Sequence, residues 1–110
     1  MTVQLQIKRA ELDLILAGTK KTEWRAPSKY NKDLLFKDRG DGKRDGNPEI
    51  THIKFVNGYA KDRITQLVEV KRIRMVKFTR NVEIPEDNFS ALEGQFAIEI
   101  TLGQIVTDEQ

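Results

Sequence analysis

The chain has 110 residues, 38% of them hydrophobic and 33% charged, and a net charge of +2; that length and balance fit one globular domain and leave no room for two independent cores. It contains no cysteine, which excludes disulfides, thiolate zinc sites and a cysteine nucleophile. A single histidine, His52, lacks the partners of His-rich metal motifs, so neither metal nor cofactor is expected.

No apolar run approaches the roughly 20 residues that cross a bilayer, and Met1-Thr2-Val3-Gln4 lacks the basic and apolar regions of a signal peptide. A cytoplasmic location and no membrane partner are the expectation. A serine nucleophile would need His52 beside Ser28 or Ser90, and neither serine lies in a nucleophile-elbow context. His52 itself reads as an ordinary strand residue beside Ile53.

Residues 3–8 read as a first strand. Leu12, Ile15 and Leu16 then recur at i, i+3, i+4, the apolar stripe of a short helix, and Gly18 sits where a left-handed residue would end it. The run Gly18-Thr19-Lys20-Lys21-Thr22-Glu23-Trp24-Arg25 passes from that helix end into a strand. A period of two puts Lys21, Glu23 and Arg25 on one face of it and Thr22 and Trp24 on the other. With Lys20 at the junction, an amine, an acid and a guanidinium can converge on one cleft. The same residues also have a structural use, because cations past a helix C-terminus complement its dipole and an exposed Glu23–Arg25 pair would contribute under about 1 kcal/mol.

Further along, Leu34, Leu35 and Phe36 are expected to anchor the near end of a mobile loop over residues 37–48, which is rich in glycine and charge. Residues 50–56 alternate as a strand, and Asn57-Gly58-Tyr59 is a hairpin turn. Asn57 and Tyr59 either line a base-sized pocket, the ring stacking and the amide pairing with a base edge, or simply cap the core. The next strand sets Val68 and Val70 against Glu69 and Lys71. Lys71, Arg72, Arg74, Lys77 and Arg80 make its second half strongly basic, a stripe suited either to phosphates or to keeping an edge strand from aggregating. After a loop with a short helix around residues 85–89, Phe96, Ile98, Ile100 and Leu102 share one face of the clearest strand. Gly103 allows a bend or bulge in it. The acidic tail, residues 107–110, is expected to fray.

Gly18, Lys20, Glu23 and Arg25 together resemble the G-x-K-x-x-E-x-R signature of the ASCH domain family, a PUA-like β-barrel group associated with RNA, in which the pattern closes the first helix. Segments at 3–8, 50–56, 67–76 and 95–106 supply strands in the family's order, and the resemblance is weakest between about residues 28 and 48. It implies a single domain over residues 1–110: a small α+β fold with a five- or six-stranded, mostly antiparallel PUA-like barrel and one main helix packed at its edge. It also implies an RNA- or nucleotide-binding module; its cleft is expected to be edged by Lys20, Glu23 and Arg25, with Glu69 as a further candidate, Asn57 and Tyr59 are the ligand contacts read from their own chemistry, and Lys71, Arg72, Arg74 and Lys77 are expected on phosphates.

Some small bacterial ASCH proteins are amidohydrolases that deacetylate N4-acetylcytidine with a lysine, a threonine three residues later and a glutamate on a later strand. Lys20 matches the lysine, Glu23 stands in place of the threonine, and Glu69 is the counterpart of the glutamate, with Glu83 as the other choice. The alternative reading is therefore an amidohydrolase on an N4-acylated cytidine-type nucleoside, with Lys20, Glu23 and Glu69 as its catalytic set. A third is a non-catalytic interaction module.

Overall fold

A computed structural model of the chain describes residues 1–107; the acidic tail beyond Thr107 lies outside the described residues. The first strand, β1 (Thr2–Gln6), buries Val3 and Leu5 and exposes the residues between them. Helix α1 (Arg9–Leu16) buries Leu12 and Ile15. It ends as its sequence demands. Gly18 takes φ +79°, its N–H bonds to the Ile15 carbonyl, and the N–H of Thr19 reaches back to Leu14, which satisfies carbonyls the helix would leave orphaned.

β2 (Thr22–Arg25) follows, then a second helix, α2 (Lys29–Leu35), where a single main helix was expected. Ser28 caps α2 by accepting from the Asn31 N–H, and Leu35 is its buried anchor. The loop expected at 37–48 contains a short hairpin, β3 (Phe36–Asp38) against β4 (Arg44–Gly46). Gly46 at its end lies directly on the backbone of Ile73: a Cβ there would stand 2.0 Å from the Ile73 carbonyl oxygen, so no side chain fits.

β5 (His52–Asn57) and β6 (Ile64–Lys77) form an antiparallel hairpin, and β9 (Phe96–Val106) pairs with the full remaining length of β6. Between β6 and β9, β7 (Val82–Ile84) and β8 (Phe89–Ala91) make a small hairpin around a 3-10 turn at Pro85–Asp87. The main sheet has the order β1-β5-β6-β9-β2, with β1 parallel to β5 and every other pair antiparallel. Its strands carry the main core, including Ile53, Phe55, Val68, Ile98 and Ile100, onto which Leu12 and Leu35 pack. A second cluster, built on Phe78, Ala91 and Ala97, lies under β7 and β8 and includes Trp24 stacked on Phe89, ring centroids 4.5 Å apart.

The closed barrel is not present: the sheet is open, with β1 and β2 as its edges. All four residues of β2 pair with β9, and its other edge carries no ladder to β1. A side chain spans the gap instead. Arg25 on β2 donates from Nη2 to the Gln6 carbonyl of β1 at 2.7 Å.

Two compensating bulges bend β6 against β9. Between Val68 and Val70 the extra residue lies on β9, at Gly103 and Gln104; between Val70 and Arg72 it is Lys71 on β6. The second bulge switches the inward parity. Val68 and Val70 face the core before it, Ile73 and Met75 after it, and Lys71 and Arg72 are consecutive exposed residues. Phe96 departs from the expected core face: it is half exposed, with the Lys77 ammonium 5.6 Å above its ring. Among the described residues, no helix is long and apolar enough to cross a membrane.

Candidate functional site

β2 pairs with β9 so that Glu23 stands opposite Ile100 and Arg25 opposite Ile98, both of them fully buried core residues. Glu23 and Arg25 therefore share the inward side, while Lys21, expected on the same face, is exposed. Glu23 is 2% exposed and Lys20 is 3% exposed. Charges taken that far from water persist only when paired. Glu23 Oε1 lies 3.3 Å from Lys20 Nζ, while Oε2 takes Arg25 Nε at 2.7 Å and Nη2 at 2.6 Å. The carboxylate is thus shared between two cations, and its bonds are charge-assisted.

A residue not singled out from sequence completes the network. Lys20 Nζ also donates to the backbone carbonyl of Asp87, whose carboxylate accepts from Trp24 Nε1 at 3.1 Å and from the Lys21 N–H at 3.3 Å. Asp87 closes the turn between β7 and β8, and the next residue, Asn88, takes φ +53°. The sequence held a partial signal: Pro85 opens a tight turn that an acid ends. Which distant groups that acid would meet, 63 to 67 residues away, was not readable.

On the other side of Glu23 and Arg25 lies a cleft of about 440 Å³ between β1, the start of α1, β2 and the turn after β5. Arg25, Glu23, Asn57, Tyr59, Lys8 and Glu11 line it. Asn57 spends its amide donor on the Ile7 carbonyl at 2.8 Å, which fixes the orientation of the group and leaves Oδ1 to accept. Tyr59 is 82% exposed, so it does not cap the core. Four expected residues, Glu23, Arg25, Asn57 and Tyr59, therefore meet in one place. Lys20 sits behind them, sealed by Glu23 and Asp87.

The others lie elsewhere. Glu69 is exposed on β6, two strands from β2 in the sheet order, and accepts from the Gln104 N–H at 3.0 Å. It is not brought to Lys20 and Glu23. Arg74 is bonded to Glu99, which raises its already high pKa, and Arg72 lies 3.7 Å from the same carboxylate. One acid thus neutralises part of the basic stripe. Lys77 covers Phe96, while Lys71 and Arg72 line a separate groove with His52. Among the described residues, no three of His, Asp and Glu are placed to hold a metal ion.

No protein-family model, curated protein or solved structure matches the chain.

Proposed function

We propose that the chain is an ASCH-type, PUA-like domain that binds RNA or a nucleotide in the cleft beside the G-x-K-x-x-E-x-R run. The observation that carries this reading is the exposed Tyr59 ring sharing that cleft with Arg25. An aromatic face and a guanidinium are the two groups that take an unstacked base and its phosphate without a cofactor. Glu23 and the Gln6 carbonyl hold the guanidinium through Nε and Nη2, which leaves Nη1 for a ligand. The main sheet is open, and Arg25 links its two edge strands by one hydrogen bond.

Binding is favoured over hydrolysis. Lys20 Nζ is committed to Glu23 and the Asp87 carbonyl, and Glu69 stands apart, so the three groups an amidohydrolase would use do not share a cavity. A non-catalytic interaction module without a nucleic-acid ligand leaves the Tyr59 and Arg25 pairing unused.

Anisotropy titration of a labelled single-stranded RNA of mixed sequence tests the proposal. Base stacking contributes about 1–3 kcal/mol, so Tyr59→Ala is expected to weaken binding roughly 5- to 150-fold while Tyr59→Phe retains it. Added salt should weaken it further. Affinity unchanged in Tyr59→Ala would overturn the cleft as the site. Release of cytidine from N4-acetylcytidine, lost in Lys20→Ala, would put hydrolysis first.

A further inference from the structure

A second concavity lies away from the motif. A groove of about 510 Å³ opens at the other end of β5, between the segment that runs from Gly46 to His52 and the bent part of β6 from Glu69 to Ile73. Along β5 the two clefts are separated by about 17 Å, five steps of an extended strand. The groove exists because β6 outruns its neighbour. β5 pairs with β6 only as far as Glu69, and after the Val70 N–H bonds to the Thr51 carbonyl, the β6 backbone bonds only to β9 among the described residues. β4 closes the far side by laying Gly46 on Ile73.

The bulge at Lys71 gives this groove its chemistry. In a regular strand Lys71 and Arg72 would point to opposite faces; the extra residue leaves both exposed at the rim of the groove, Lys71 beside Gly103 and Arg72 beside Glu99 of β9. Lys71 has no hydrogen-bond or ion-pair partner among the described residues, and Arg72 has only the loose contact at 3.7 Å with Glu99. His52 has its Nδ1 bonded to Thr51 Oγ1 at 2.8 Å, which leaves Nε2 for a ligand. The groove's own acid, Glu69, is engaged by the Gln104 N–H. Pro48, Ile50 and Val70 provide an apolar wall.

The geometry points to a second ligand site here, for a small phosphomonoester with an apolar body. A dianion matches the paired charges of Lys71 and Arg72, and the planar fork of Arg72 suits two phosphate oxygens at once. The apolar wall accepts the organic part. Nothing in this assignment depends on the motif cleft. The phosphate would be carried by a soluble metabolite or by a lipid head group, two sources with one recognition chemistry.

Calorimetric titration of the whole chain with phenyl phosphate tests it, with phenol, inorganic phosphate and a dinucleotide lacking a terminal phosphate as comparison ligands. Phenyl phosphate is expected to bind saturably and more tightly than the other three. Lys71→Ala and Arg72→Ala should each weaken it about tenfold or more, the worth of a charge-assisted hydrogen bond, and Tyr59→Ala in the other cleft should leave it unchanged. Both cations are exposed, so these variants are expected to keep the wild-type circular dichroism spectrum. Vesicles containing phosphatidate that compete with phenyl phosphate would support the lipid source; vesicles without effect would support the soluble one. No saturable binding, equal binding of the dinucleotide, or loss of binding in Tyr59→Ala would overturn the assignment.

Discussion

The two ends of β5 use the same residue types to opposite effect. At the motif end Lys20, Glu23 and Arg25 form a closed network in which the amine and the acid are almost wholly buried. At the far end Lys71, Arg72 and Glu69 stand in water around a groove. The difference arises from which face of the sheet each set occupies. β2 presents its charges to the core side, where each must be matched, whereas the β6 bulge turns its charges outward, where they remain available. A charge run in this sequence is therefore closed into a buried network at one site and left exposed at the other.

The largest expected effect tests that contrast directly. Glu23→Ala removes the one carboxylate between two cations and should cost about 3–5 kcal/mol, the penalty for leaving buried charge uncompensated. Glu69→Ala, on exposed β6, should cost less than about 1 kcal/mol. Urea denaturation of the two variants reads the difference as a shift in midpoint. Equal shifts would break the comparison, because they would mean that Glu23 is solvated in solution.

Asp87→Ala is expected to have a smaller effect, about 1–3 kcal/mol. It strips acceptors from Trp24 Nε1 and the Lys21 N–H but leaves the backbone carbonyl that receives Lys20. Because Trp24 is the only tryptophan, its fluorescence reports the change at the same position. A shifted emission with little loss of stability would say that the turn between β7 and β8 holds the indole without supporting the network. Loss on the scale of Glu23→Ala would say that the buried charges depend on this turn as a lid.

How far the sequence spoke for itself follows the range of the forces involved. Helix α1, its stop at Gly18 and the two faces of β2 were legible because they depend on a periodicity of three to four residues or of two, plus one left-handed backbone position. The inward parity of Val68 and Val70 was legible for the same reason. Its reversal at Lys71 was not, since no glycine marks that bulge as Gly103 marks the one on β9. α2 had its cap, Ser28, in view, but a seven-residue helix with one buried anchor leaves little periodic signal. The sealing of Lys20 by Asp87 and the separation of Glu69 from the motif depend on tertiary contacts that no local pattern encodes. The motif thus announced which side chains would gather but not which of them a ligand would reach.

The smallest expected effect concerns charges that resemble neither cleft, because they only tie surface segments together. Asp33 on α2 accepts from Lys29 Nζ at 2.6 Å and from Arg44 Nη2 of β4 at 2.7 Å, and these two bonds hold its carboxyl below the ordinary value of 3.8. The unfolded chain then binds the proton more readily than the folded one. Its contribution to stability is full above the ordinary carboxylate value and disappears as pH falls through the lower, folded value. Urea midpoints of wild type and Asp33→Asn, compared at low ionic strength from neutral pH downwards, should differ slightly at neutral pH and converge in acid. Added salt should shrink the neutral-pH difference, since the side chains involved are solvated. A difference that survives acid and salt would mean that Asp33 is held by more than these two cations, and that surface pairing here acts as the buried network does.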